Sequence, residues 1–221
     1  MVISVAEAVG LLGGTFDPIH YGHLRMAEEL GELFGLNEVR ILPAGQPPHR
    51  GQPRASAAQR LTMARLALAG NARLRLDTRE IEKLTPSYSV ETLESLRTEL
   101  GPAPPLLLFM GADAFMGLHT WHRWEALPGL AHLVVAHRPG FSPALWEDAL
   151  PEPLRRMLAS RRTEQPNDLT ARPAGQILLH PITQLDISAS QIRALALRGK
   201  SLRYLLPEAV IDYLNENRLY A

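Results

Sequence analysis

The sequence contains no cysteine, which excludes a disulfide framework, thiolate catalysis and cysteine-ligated metal. It also lacks net charge. The 23 Lys and Arg residues balance 23 Asp and Glu, so no overall field draws the chain to nucleic acid or to an anionic membrane. Lysine is nearly missing: Lys83 and Lys200 are the two among those 23 basic residues, and the rest are arginines. GC-rich coding accounts for that skew, although Arg is also the better bidentate phosphate ligand. No apolar run approaches the ~18 residues a membrane span needs, and no basic leader opens the chain, so a cytoplasmic location is expected. Repeats and low-complexity tracts are absent as well. What is present is 221 residues of ordinary globular composition, long enough to bury one sizeable core.

The stretch from Leu11 to Leu24 reads LLGGTFDPIHYGHL. An apolar run ends in Gly13-Gly14, turns through Thr15-Phe16-Asp17-Pro18, and delivers His20 and His23 to the first turn of a helix. Met26, Ala27, Leu30, Leu33 and Phe34 then recur at helical spacing until Gly35 closes the helix. His23 is in register with Ala27, Leu30 and Phe34, and His20 lies one turn earlier, so both rings can converge on one small volume. A glycine turn leading to the unpaired N–H groups of a helix start favours an anion, and phosphate fits best. The glycines are not spaced as a GxGxxG dinucleotide loop. A Walker A lysine is missing here, and Gly199-Lys200-Ser201 lacks that loop's earlier glycine, which leaves it as an ordinary helix C-terminus.

Further along, Val39 to Leu42, Leu74 to Leu76, Leu106 to Met110, Leu133 to Ala136 and Ile177 to Leu179 are short apolar strands. Helices follow Ser56 (Leu61, Ala64, Arg65 and Leu68 at helical spacing), Ser89 (to Leu100), Ser188 and Pro207. This alternation predicts one doubly wound, Rossmann-like α/β domain spanning 1–221, with a parallel sheet and a site at the strands' C-terminal edge. The helical part from about 187 to 221 closes the chain. Several polar residues fall at strand ends or helix starts: His49 and Arg50 in the Pro-rich loop 44–54, Asp113 after Gly111, and Arg138 after the fifth strand. Asp113 could cap a helix or accept from a ribose diol. Thr85, Ser87 and Ser89 could serve as caps. Ser188 and Gln191 make a capping-box pattern that brings Ser190 and Arg193 beside any anion at that N-terminus. His119 and His122 form an HxxH pair without a third ligand, so no metal site is expected. Around 141–175 the pattern weakens, with one short helix at Leu154 to Leu158 and a solvated cluster of Arg155, Arg156, Arg161 and Arg162.

GGTFDPIHYGHL resembles the HxGH motif of the nucleotidyltransferase superfamily, in particular the bacterial nicotinate-nucleotide adenylyltransferases. Further similarities run along almost the whole chain. The resemblance implies that Gly13, Gly14, Thr15, Phe16, His20 and His23 hold ATP. Ile187, Ser188, Ser190 and Arg193, which match ISxSxIR, would join them on the phosphates, and His20, His23 and Arg193 would be catalytic. It also implies that Gly111 and Asp113 form the ribose-binding turn, that His49 and Arg50 (PPHR) contact the mononucleotide phosphate, and that Ser87, Tyr88 and Ser89 (PSYS) hold the nicotinate carboxylate. Trp121 would stack on the pyridine. Ser89 departs from the usual Thr but keeps a hydroxyl, and His122 departs from the expected aromatic. Arg138 is placed by its strand end as a further phosphate or carboxylate ligand.

The implied reaction joins ATP and nicotinate mononucleotide to give the dinucleotide and pyrophosphate, with Mg²⁺ carried by ATP's own phosphates. The acceptor is a phosphate monoester whose second pKa of ~6 leaves it ionised at neutral pH, so no general base is needed. The rival acceptors are nicotinamide mononucleotide and phosphopantetheine; a non-catalytic nucleotide sensor is a reading from another class. PSYS and the Thr120-Trp121 pair favour a pyridine nucleotide, and the presence of both histidines favours an enzyme.

Overall fold

The computed structural model describes residues 7–46, 52–83, 85–137, 143, 146–183 and 185–221. The resemblance-based assignments of His49, Arg50 and the strand-end assignment of Arg138 lie outside the described residues.

Seven parallel strands build the sheet. They are β1 (Val9–Gly14), β2 (Glu38–Pro43), β3 (Leu74–Leu76), β4 (Leu106–Gly111), β5 (His132–His137), β6 (Arg162–Thr163) and β7 (Ile177–Pro181), in the order β3-β2-β1-β4-β5-β7-β6. Each strand pairs in parallel with its neighbours. The order runs in opposite directions from β1, toward β2 and toward β4, which makes the C-terminal edge between β1 and β4 the switch point where open α/β sheets take ligands.

Period-two alternation sends the side chains of the central strands to two separate cores. Leu107 and Phe109 of β4 join Leu12, Val39, Ile41, Val134 and Leu178 on one face. That face is covered by α1 (Tyr21–Leu33), α2 (Ala57–Leu68), α8 (Ala189–Leu197) and α9 (Glu208–Glu216). Leu106, Leu108 and Met110 point the other way, under α3 (Ser89–Leu100), α4 (Ala112–Met116), α5 (Leu127–Leu130) and α6 (Glu152–Arg161). Such a strand must be apolar throughout, which is why β4 reads LLLFM. The short α7 (Asn167–Thr170) adds Leu169 to the first core.

Three local expectations change. The buried stripe of α2 is Arg60, Met63, Ala64 and Leu68, whereas Leu61 is half-buried and Arg65 exposed. The helix predicted at 154–158 extends over Glu152–Arg161, anchored by buried Leu154 and Leu158 and by Arg155 and Arg156 paired with Glu152 one turn back. Arg162 and Thr163 then add an edge strand beside β7; two residues are too few for a periodic signal. The basic cluster of Arg155, Arg156, Arg161 and Arg162 is exposed to solvent as expected, and Arg162 pairs with Glu147 and Glu164. At the end of α8, Gly199 has φ +61 and closes the helix from beyond its C-cap.

Candidate active site

β1 ends at Gly13-Gly14, and the chain turns back through Phe16, whose φ of 51° is left-handed. Phe16 is only 2 % exposed, and a Cβ on Gly14 would stand 2.7 Å from its ring. Gly14 therefore makes room for Phe16 rather than opening a bare anion pocket. The Phe16 ring meets His23 edge-on at 4.9 Å and so supports that imidazole from below.

His20 is the N-cap of α1 in an extended conformation, and its N–H donates to His23 Nδ1 at 3.3 Å. With Nδ1 accepting, the ring nitrogen of His23 that can donate is Nε2. The two imidazoles stack with centroids 3.7 Å apart and planes 25° apart. The glycine between them in sequence keeps that space clear: a Cβ on Gly22 would lie 3.0 Å from His20 Cε1 and Nδ1, and the ring would have to give by a few tenths of an ångström. His20 is 5 % exposed, and burial depresses its pKa to about 4. The ring is neutral at physiological pH, and its buried Nδ1 is hydrogen-bonded to no described residue.

The second helix start arrives at the same place. Ser188 caps α8 by accepting the Gln191 N–H at 3.2 Å and contacts the Ser190 hydroxyl at 3.1 Å. The Ile187 carbonyl lies 3.5 Å from where a Gly22 Cβ would be, and Arg193 Nη1 donates to the Asp17 carbonyl at 2.7 Å. The two motifs, over 160 residues apart in sequence, thus share one volume. Two helix N-termini, two imidazoles and a guanidinium make a site for a polyanion.

Along the edge, Gly111 rather than Asp113 is the N-cap of α4, and no side chain caps that helix. The exposed Asp113 carboxylate is thereby left facing solvent at the end of β4. The hydroxyls near α3 do not cap it either. Tyr88 occupies the N-cap position without a side-chain bond, and the Ser87 hydroxyl donates to the Glu80 carbonyl at 3.2 Å. The Ser87 N–H donates to Gln46 O at 3.2 Å, which ties PSYS to the loop after β2. Ser89 is half-buried at the first position of α3. Tyr88 meets His122 at 4.5 Å, and half-buried Trp121 packs on the second core, so PSYS and the Thr120-Trp121 pair come together. His119 and His122 are exposed.

Three residues that sequence reasoning passed over hold this framework. Asp17, buried, accepts the Arg54 and Ala55 N–H groups at 2.9 and 3.0 Å and the Tyr220 hydroxyl at 2.6 Å. Arg60, 1 % exposed, donates to the carbonyls of Thr15, Ala44 and Gly45 at 2.8, 2.6 and 2.8 Å. It staples the β1 turn to the loop after β2. Its signal in the sequence was a charge on the stripe shared with Ala64 and Leu68. Nothing local marks Tyr220.

A profile of the cytidylyltransferase-like family matches residues 11–195. A protein of Dechloromonas aromatica named probable nicotinate-nucleotide adenylyltransferase is 53 % identical over 98 % of this chain and 99 % of its own length. A protein of the same name from Pseudomonas aeruginosa is 48 % identical, covering 98 % of both chains. The fold is similar to that of Plasmodium falciparum nicotinic acid mononucleotide adenylyltransferase, solved in complex with NaAD. In that comparison the TM-score is 0.69 at 18 % identity, over 97 % of each chain.

Proposed function

This chain belongs to the cytidylyltransferase-like family and to the nicotinate-nucleotide adenylyltransferases, and from that premise we propose how its residues divide the work. It is a nucleotidyltransferase of NAD biosynthesis that transfers the adenylyl group of ATP to nicotinate mononucleotide and releases pyrophosphate. We read residues 1–221 as one catalytic domain and place it in the cytoplasm, where ATP is held. No helix among the described residues is long and apolar enough to cross a membrane.

The observation that carries the assignment of the site is the convergence of the α1 and α8 N-termini on the His20/His23 stack, with Arg193 anchored to the Asp17 carbonyl. The mononucleotide's phosphate is already ionised near neutrality, so catalysis consists of aligning two anions and stabilising the leaving pyrophosphate. Neutral His20, and His23 through Nε2, supply N–H donors to the phosphate oxygens. Thr15, Ser188, Ser190 and the Gly13, Gly14, Phe16 and Ile187 backbone complete the triphosphate cradle, and Arg193 adds a permanent positive charge. Gly111 and Asp113 are assigned to the ribose. Ser87, Tyr88, Ser89 and Trp121 are assigned to the pyridine ring and its carboxylate, with His49, Arg50 and Arg138 on the acceptor's anionic groups.

Among the described residues no three His, Cys, Asp or Glu side chains gather to hold a metal, and the site's groups are donors and cations suited to phosphate oxygens. We therefore assign Mg²⁺ to ATP's own phosphates, where it neutralises charge. The test is pyrophosphate release from ATP-Mg²⁺ with a panel of acceptors. Nicotinate mononucleotide is expected to be used best, and preference for phosphopantetheine would overturn the pyridine half of the site.

A further inference from the structure

Asp17 holds a single carboxylate between two guanidiniums. Arg193 Nη1, bonded to the Asp17 carbonyl, is also 3.8 Å from Oδ2. Burial holds the pKa of the Arg60 guanidinium below its ordinary value, and the charge of the Asp17 carboxylate partly offsets that. A carboxylate so near a half-buried guanidinium has an alternative open to it: a close, charge-assisted pair that would absorb the arginine's donors.

Neutral donors keep the 3.8 Å ion pair from closing to hydrogen-bond distance. Arg54 N–H occupies Oδ2, while Ala55 N–H and the Tyr220 hydroxyl occupy Oδ1. Tyr220 comes from the segment after α9, is buried, and has a left-handed φ of 66°, a backbone state that costs a bulky residue energy. Burial and the adjacent carboxylate push its hydroxyl pKa far above the ordinary range, so it stays a proton donor. The other two donors are backbone amides, which leaves Tyr220 as the one side-chain constraint among the three.

We propose that Tyr220 is a positioning residue for ATP: its hydroxyl holds Asp17 Oδ1 beside the Ala55 N–H and so keeps the Asp17–Arg193 pair at 3.8 Å rather than closed, which leaves the Arg193 guanidinium aimed at the triphosphate. The inference rests on the assignment of Arg193 to the triphosphate above, and extends the site to a residue that touches neither substrate. Without the hydroxyl, Asp17 turns toward Arg193, and ATP must compete with an internal anion for the same donors.

Steady-state kinetics on the full chain test this with Tyr220→Phe, Arg193→Ala and the double variant. Phenylalanine retains the ring and its packing, and a thermal melt verifies the fold. Tyr220→Phe is expected to raise KM for ATP about 10-fold, the scale of one charged hydrogen bond, with KM for nicotinate mononucleotide unchanged. In the Arg193→Ala background it should add less than about 2-fold, because its effect passes through that guanidinium. Equal increases in both KM values, or additive effects in the double variant, would show a merely structural tyrosine and overturn the inference. If Arg193→Ala itself leaves KM for ATP unchanged, the triphosphate assignment has failed and takes this inference with it. If Arg193→Ala raises that KM and Tyr220→Phe does not, this inference alone fails.

Discussion

The imidazoles of His20 and His23 lie face to face at 3.7 Å, and the backbone N–H of the first donates to Nδ1 of the second. One contact leaves Nε2 as the donor nitrogen of His23, and the stack fixes where both rings can point. Each ring is a preorganised donor for charge that moves onto the leaving pyrophosphate. His20→Ala and His23→Ala are each expected to lower kcat by ~10²–10³, with a much smaller change in ATP binding measured by calorimetry. Turnover near that of the native chain in either folded variant would remove the histidines from the reaction.

Gly22 gives a finer test of the same stack. A methyl group there would lie 3.0 Å from His20 Cε1 and Nδ1, so the ring must shift. Gly22→Ala is expected to lower kcat by about 10-fold, since even a few tenths of an ångström disturbs the aligned donors, while the midpoint of urea unfolding moves little. A fully active Gly22→Ala protein would show that the spacing between the rings is not what catalysis needs.

The pH dependence of stability follows from His20. Its folded pKa of about 4 lies below the unfolded value of 6.5. The unfolded chain therefore binds a proton that the native chain refuses between those two values. Above pH 6.5 the group costs nothing; as pH falls from 6.5 to 4, stability is lost, up to about 3 kcal/mol. Chemical denaturation between pH 7 and 4.5 should show this slope in the native chain, and a reduced slope in His20→Gln. Identical slopes would contradict a buried neutral imidazole.

Arg60 donates to three carbonyls from the β1 turn and the loop after β2. Arg60→Met fills the space but strands those acceptors, and should cost about 3 kcal/mol in urea unfolding. Because the residue joins the two loops, KM for both substrates should also rise. A loss below about 0.5 kcal/mol would mean that water replaces the guanidinium without penalty.

The acid should be preferred to the amide by at least ~10- to 100-fold in kcat/KM. A carboxylate accepts at both oxygens, whereas a carboxamide turns an NH₂ toward a donor and leaves a buried group unpaired, at ~1–3 kcal/mol. Trp121→Ala should raise KM for the mononucleotide and spare that for ATP. Equal kcat/KM values for nicotinate and nicotinamide mononucleotides would refute a carboxylate pocket even if adenylyl transfer survived.

By itself the sequence determined six strands, the six longer helices and their order. β4 was legible as LLLFM because a strand covered on both faces leaves no room for polar residues. The bounds of α3 and β3 followed from punctuation and periodicity, and the HxGH and ISxSxIR strings marked two helix starts before either could be placed in space. Those signals are local, so a linear reading reaches them.

Only the tertiary structure decided which parts meet and what each polar group is for. Ser87 looked like a cap and bonds Glu80 instead, and Asp113 looked like a cap and is none. In each case the backbone group to be satisfied lies on an element that the local sequence does not name. The apolar period of α2 pointed to Leu61 and Arg65, yet Arg60 is the buried residue, because the carbonyls of Thr15, Ala44 and Gly45 compensate its charge from two other loops. Tyr220 bonds Asp17 across 203 positions of sequence. A hydrogen bond between two such distant groups depends on where the sheet and helices carry them, and no spacing within either segment encodes it.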